Sequence, residues 1–156
     1  MSLHFRAATR ADVPAIVAML ADDVLGRGRE NADPARYLAA FDAMERETGN
    51  GLYVGEKGGA VIACYQLTII SGLSLSATRR ALLESVRVAS DQRGGGIGAA
   101  LMADAESRAR AAGCGLLQFT SNRARSDAHR FYEGLGFTPS HIGYKKQLQA
   151  SDPSQP

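Results

Sequence analysis

Tryptophan is absent from this chain, and cysteine is nearly so, with only Cys64 and Cys114 present. Neither has a histidine or second cysteine at metal-ligand spacing. That argues against a zinc site or disulfide framework and fits a reduced, cytoplasmic protein without metal. No apolar run approaches the roughly 20 residues that a membrane-spanning helix needs. The start lacks the charged-then-apolar order of a signal peptide. Charge of one sign is also missing: 18 Lys and Arg stand against 16 Asp and Glu, and no basic run marks a helix face or a tail. Nucleic acid and membrane are therefore not expected partners. Internal repeats and long linkers are absent too. What remains is an ordinary globular composition, 45% hydrophobic and 22% charged, in 156 residues, enough for one hydrophobic core.

Along the chain, Leu3–Ala8 reads as a strand. Thr9 with Asp12 forms a capping box before a helix over Ala11–Ala21, whose apolar positions are Val13, Ile16, Val17 and Leu20. A polar stretch, Asp22 to Asp33, precedes a second helix that opens at Pro34 and runs through Tyr37, Phe41 and Met44. Strands Leu52–Glu56 and Val61–Ile70 flank Lys57-Gly58-Gly59, a hairpin signal. A small-residue loop, Gly72–Thr78, leads to a strand over Leu82–Ala89. The next helix carries an apolar stripe of Ile97, Leu101, Ala105 and Ala112, with the pairs Asp104/Arg108 and Glu106/Arg110 on its exposed side. Gly113 stops it. Leu116–Thr120 reads as a strand, Ser126 as an N-cap, Ala128–Leu135 as a helix ended by Gly136, and Phe137 and Gly143–Leu148 as closing strands. The expected fold class is α+β: a mixed, mostly antiparallel central sheet flanked by helices in αβα layers. One domain spans 1–148, and a disordered tail covers 149–156.

The sharpest feature is Ser90-Asp91-Gln92-Arg93-Gly94-Gly95-Gly96-Ile97-Gly98, between a strand and an alanine-rich helix. Consecutive glycines cost backbone entropy, so they belong where the chain must come very close to a ligand. A helix N-terminus offers unpaired N–H groups and partial positive charge, and Arg93 adds a cation at its mouth. Pyrophosphate is the natural guest. Gly94, Gly96 and Ala99 also satisfy the dinucleotide pattern G-x-G-x-x-G/A. That reading wants an acid about 20 residues on, and Cys114–Thr120 contains none. No Gly-Lys-Ser/Thr follows either. The loop points away from NAD and ATP.

Here the segment resembles the GNAT superfamily of N-acetyltransferases, with its Gln/Arg-x-x-Gly-x-Gly/Ala signature filled by Arg93, Gly96 and Gly98. Ala128-His129-Arg130-Phe131-Tyr132-Glu133-Gly134-Leu135-Gly136-Phe137 resembles the family's A-x-x-FYE-x-x-GF segment. The likeness is strong over Leu82–Phe137 and only organisational before it. It implies a GNAT-like fold with acetyl-CoA as co-substrate and an amine acceptor, and it leaves room for the homodimer common on this fold. The backbone of Val86, Arg87 and Val88 would bond the pantetheine arm. Arg93, Gly94, Gly95, Gly96, Ile97, Gly98 and Ala99 would wrap the pyrophosphate. Tyr132 would lie near the thioester sulfur and Asn122 near the pantetheine or departing thiol. Where many members keep Asn, three residues before the Ala, this chain has Arg125.

Amine attack on a thioester needs a neutral amine and a protonated leaving thiol. Tyr132, a phenol of pKa about 10, is matched to the thiolate as general acid. Its alternative is core packing beside Phe131. Glu84, in an apolar strand and sharing a face with Val86 and Val88 by alternation, is the candidate base. Its alternative is an ion pair with Arg79, Arg80 or another basic residue. His129 could face the adenosine or simply sit at the surface. Asp22, Asp23 and Glu30 could receive a cationic acceptor. Arg27, Arg29, Arg79 and Arg80 argue instead for one bearing carboxylate or phosphonate. The leading activity is N-acetylation of a small-molecule amine. Protein or peptide N-acetylation and a non-catalytic acyl-CoA-binding regulator are the alternatives.

Overall fold

The computed structural model describes residues 1–23 and 25–148. They fall into two compact units, Met1–Phe119 and the residues from Thr120 on. The tail expected over 149–156 lies outside the described residues.

The first unit opens with β1 (Leu3–Ala7) and a 3-10 turn, Arg10–Asp12, leading into α1 (Val13–Ala21). The capping signal at Thr9 works through the acid: the Asp12 carboxylate accepts the Thr9 N–H at 2.7 Å and its hydroxyl at 2.9 Å. α2 (Pro34–Arg46) begins where the Asp33 side chain accepts the Ala35 N–H at 2.8 Å, with Pro34 in the first turn. β2 (Asn50–Lys57) and β3 (Ala60–Ile70) form the hairpin foreseen across Gly58-Gly59. The small-residue loop after β3 holds a single turn, α3 (Ser74–Ala77), with left-handed φ at Leu75, Ser76 and Ala77. β4 (Arg80–Val88), α4 (Ile97–Ala111) and β5 (Leu116–Gln118) complete the unit.

The sheet order is β1-β2-β3-β4-β5, with the first four strands antiparallel and β5 parallel to β4. Strand alternation sends one set of β3 and β4 side chains, Tyr65, Leu67, Ala81 and Leu83, to the face on which α4 lies. α4 lays Ile97, Leu101, Met102, Ala105 and Ala109 on that face, so its buried stripe closes at Ala109 rather than Ala112. Val54 and Cys64 point to the opposite face, into a core with Val13, Ile16 and Met19 of α1 and Phe41 of α2. Each large apolar side chain so buried contributes about 1.5–3 kcal/mol.

Asp104 and Arg108 depart from the expected exposed pair. Tyr65 is wholly buried, and its hydroxyl donates to the Asp104 carboxylate. Arg108 Nε binds the same carboxylate at 2.8 Å, its guanidinium lies 4.3 Å from the Tyr53 ring centroid, and Nη2 donates to the Phe5 carbonyl at 3.3 Å. An intrahelical pair becomes a clamp between α4 and three strands because the sheet below presents a buried hydroxyl.

In the second unit, α5 (Ser126–Gly134) starts one residue earlier than the capping reading allows. Ser126 is its first helical residue, and Arg125 holds the cap position, with no side chain capping the helix there. Gly136, in left-handed conformation, follows its end. The closing strands expected at Phe137 and Gly143–Leu148 are not formed among the described residues. Ile142, Tyr144 and Leu148 alternate as a strand would, yet lie in solvent, with Tyr144 90% exposed. Alternation supplies a face, but a strand also needs a paired backbone.

Candidate functional site

β4 does not run straight. Cys64 pairs with Arg87 but Gln66 pairs with Glu84, so three steps on β4 oppose two on β3. The extra residue is a bulge, and Ser85 takes φ 54° within it. A bulge reverses the alternation beyond it. Glu84 therefore shares a face with Arg87, Cys64 and Gln66, and not with Val86 and Val88 as plain alternation predicts. It is exposed rather than set in apolar surroundings.

Beyond the bulge, β4 has an open edge. β5 pairs only with Arg80–Leu82, and among the described residues no strand pairs with Leu83–Val88 on that side. The Val86 carbonyl accepts Arg87 Nη1 at 2.8 Å, and the Val88 carbonyl accepts Arg93 Nε at 3.3 Å. An extended amide-bearing ligand can lie along such an edge as one more strand.

A 3-10 turn, Ser90–Gln92, carries the chain from β4 into the glycine loop and then into α4. Gly94 and Gly96 have φ of 82° and 76°, the left-handed region that glycine enters without penalty. Gly96 is the N-cap of α4, and no side chain caps the helix, which leaves the first-turn N–H groups to a ligand. A Cβ at Gly94 or Gly96 would project into open space. A cavity of about 410 Å³ reaches this loop, lined among others by Asp91, Gln92, Arg93, Gly95, Gly96 and Lys57. Uncapped amides, left-handed glycines and two cations suit a pyrophosphate.

The segment between α1 and α2 is tied to β4 and to the loop. Asp23 Oδ2 pairs with Arg87 Nη2 at 3.3 Å, both side chains 15% exposed, and Asp23 also accepts the Gly26 N–H. Arg93 Nη2 contacts the Asp22 carbonyl at 3.5 Å. Tyr37 donates to Glu30 at 3.0 Å. Two of the three acids considered for a cationic acceptor thus hold the fold, while Arg27 and Arg29 are exposed. Arg79 donates to the Ala112 carbonyl at 2.8 Å and does not pair with Glu84.

Sequence reading missed the Asp23–Arg87 pair and the bulge, since neither leaves a local signature. It also missed a polar strip beside Glu84. Gln66 Nε2 donates to Asn50 Oδ1 at 2.8 Å, and Asn50 Nδ2 to Glu47 Oε2 at 2.6 Å. Gln66, set between Tyr65 and Leu67 in the mainly apolar run of β3, was the signal available. Cys64 is sealed in the core, where burial pushes its thiol up to about 12, so it is no nucleophile at neutral pH.

In the second unit, Tyr132 packs edge-on against Phe131 and Phe137, with centroids 5.2 and 6.2 Å away. Phe131 is 39% exposed and Tyr132 is half-buried. Asn122 is engaged locally: its Oδ1 accepts the Ala124 N–H at 2.9 Å, and its carbonyl accepts the Arg125 N–H at 3.0 Å and meets the His129 ring at 2.9 Å. His129 therefore has a structural partner. Among the described residues no cluster of three or more His, Cys, Asp or Glu could hold a metal, and no helix is long and apolar enough to cross a membrane.

A bulged, mostly antiparallel sheet between helical layers, with an uncapped glycine-rich helix start beside its open edge, is the architecture of the GNAT fold. The chain belongs to the Acetyltransferase (GNAT) family, whose profile matches residues 17–137. It is similar to an aminoalkylphosphonate N-acetyltransferase from Salmonella typhimurium, 41% identical over 66 residues. That match spans 42% of this chain and 43% of the relative, less than half of its length. A solved structure described as a transcriptional regulator from Bacillus halodurans is 41% identical, covers 94% of this chain and 100% of its own, and superposes with a TM-score of 0.90. A putative acetyltransferase from Agrobacterium tumefaciens is 27% identical over 95% of this chain and 100% of its own, with a TM-score of 0.83.

Proposed function

We infer that this protein transfers the acetyl group of acetyl-CoA to the primary amine of a small-molecule acceptor by direct attack. The observation that carries the reading is the start of α4: left-handed Gly94 and Gly96, no capping side chain, and Arg93 beside them. Arg93–Ala99 would hold the pyrophosphate, and the backbone of Val86, Arg87 and Val88 the pantetheine arm. Acetyl-CoA supplies an activated acetyl group. Glu84, directly or through water, takes the proton that the attacking amine must lose. Tyr132 gives its phenolic proton to the departing sulfur, and Asn122 is assigned to the same end of the cofactor by resemblance. The whole of residues 1–148 serves as one acetyltransferase domain, acting in the cytoplasm.

The acceptor we favour carries an anionic group as well as its amine. Asp23 and Glu30 are already engaged, Arg27 and Arg29 are exposed, and the Salmonella relative is described as acting on aminoalkylphosphonates. Thiol release from acetyl-CoA should be measured with 2-aminoethylphosphonate, aminomethylphosphonate, propylamine and a lysine peptide. Release with the phosphonates, and little with the peptide, is the expected result. A second reading, an acyl-CoA-binding regulator, draws on the description of the Bacillus halodurans relative. Absence of thiol release with every amine, alongside tight acetyl-CoA binding, would put it first.

A further inference from the structure

A polar side chain in the central strand of a sheet is costly where helices cover its face, unless a hydrogen bond, water or a ligand satisfies it. β3 is the third of five strands, and Gln66 stands in it between Tyr65 and Leu67, both buried. The register sets Gln66 opposite Glu84 of β4, and Thr68 opposite Asn50 of β2. Gln66, Glu84, Thr68 and Asn50 all share the face of Cys64 and Val54. Yet Cys64 and Val54 are sealed within the α1 and α2 core, whereas Gln66, Thr68 and Asn50 are half-buried and Glu84 is exposed. The helical cover therefore ends between Cys64 and Gln66. Past that line, the face opens on a polar floor beside the β4 bulge.

The hydrogen bonds across that floor have one direction. Glu47 accepts from the Asn50 amide, and Asn50 Oδ1 accepts from the Gln66 amide. Gln66 thus spends a donor toward β2, and its Oε1 is an acceptor for a ligand. Directly opposed side chains on neighbouring strands start about 4.5–5.5 Å apart at Cβ, so this oxygen and the Glu84 carboxylate can grip one small group. An alkylammonium has three N–H donors and no acceptor, the complement of one carboxylate and one amide oxygen.

We propose that Gln66 Oε1 and the Glu84 carboxylate form the seat of the acceptor's ammonium group, with the Asn50 and Glu47 side chains orienting the Gln66 amide. The proposal rests on the acetyltransfer reading above and names the residue that selects an amine. Proton transfer from the seated ammonium to Glu84 balances as RNH3+ and carboxylate becoming RNH2 and carboxylic acid. The neutral amine keeps its hydrogen bond to Gln66 and frees its lone pair for attack. An alcohol in the same place carries no charge to pair with Glu84, so the seat discriminates amine from hydroxyl.

Gln66→Leu removes the oxygen and keeps the bulk. It should raise the KM for 2-aminoethylphosphonate by between about tenfold and a hundredfold, the worth of a hydrogen bond to a charged group, and leave the KM for acetyl-CoA unchanged. Gln66→Glu keeps an acceptor oxygen and should restore amine binding. A second readout needs no turnover: titrating the CoA-loaded protein with propylamine should shift the backbone amide resonances around Gln66 and Glu84, and propanol should not. If no amine releases thiol, the acetyltransfer reading fails while the titration still decides the seat. If Gln66→Leu melts early, Gln66→Met, unbranched and of similar length, takes its place. An acceptor KM within twofold of wild type, or propylamine shifts identical in wild type and variant, would overturn the proposal.

Discussion

Gly96 joins two demands that a sequence alone cannot separate, a left-handed backbone and a bare approach. Its φ is 76°, and a Cβ there would meet nothing within 4 Å. Gly96→Val therefore costs the fold mainly the left-handed penalty, about 1–2 kcal/mol, while its side chain fills the space assigned to phosphate. Calorimetry should show acetyl-CoA affinity falling far more than the melting temperature does. Equal losses would mean that the glycine serves the fold alone. Tyr132 poses a cleaner test, because Tyr132→Phe keeps the ring contacts with Phe131 and Phe137 and deletes only the phenolic hydroxyl. Turnover should drop by about 10²–10⁴-fold, the usual worth of general acid catalysis, with acetyl-CoA affinity little changed. Full activity in that variant would remove Tyr132 from the chemistry and leave the family assignment untouched.

At the scale of elements, the chain uses charge to join pieces that packing alone would leave loose. Asp104 and Arg108 fasten α4 over Tyr65 and Tyr53, which steadies the helix whose first turn carries the glycine loop. Next along β1 from the Phe5 carbonyl that Arg108 meets, Arg6 donates to Asp12 at 2.8 and 3.0 Å, and Asp12 also accepts both a hydroxyl and an N–H from Thr9. Arg6 in turn meets Glu56 at 2.8 Å, so β1, β2 and the entry to α1 share one network. The Arg6 hydrogen bonds, with those from Thr9, hold the Asp12 carboxyl well below the usual carboxylate range despite burial. A depressed folded pKa contributes stability that is present above the unfolded value, about 3.9, and is lost as pH falls below it. Asp12→Asn should lower the melting temperature at pH 7, and the gap from wild type should narrow as pH drops from about 4 toward 2. A gap that stays constant in calorimetric scans over that range would show that the Arg6 pair does not stabilise the fold through the charge of Asp12.

Over the whole chain, local patterns were read where one residue type has one physical use. Apolar spacing located α1, α2 and α4, the glycine pair at 58 and 59 located the hairpin, and the run of glycines after β4 located the turn into α4. Patterns that need a partner were read less well. The period-2 run around Ile142, Tyr144 and Leu148 promises a strand, but only backbone pairing makes one, and the described residues offer none. Ser85 carries no mark of its left-handed φ, so the bulge was invisible and Glu84 was assigned to the wrong face. Asp23 and Arg87 lie 64 positions apart in the chain, and only the packing of the α1–α2 segment on β4 joins them. The layer architecture and the family were thus legible in the sequence, because they follow from spacing and from backbone freedom within a few residues. Which charges are exposed and which hold the fold came only with the tertiary structure, because burial and cross-strand register are set by residues far away in the chain.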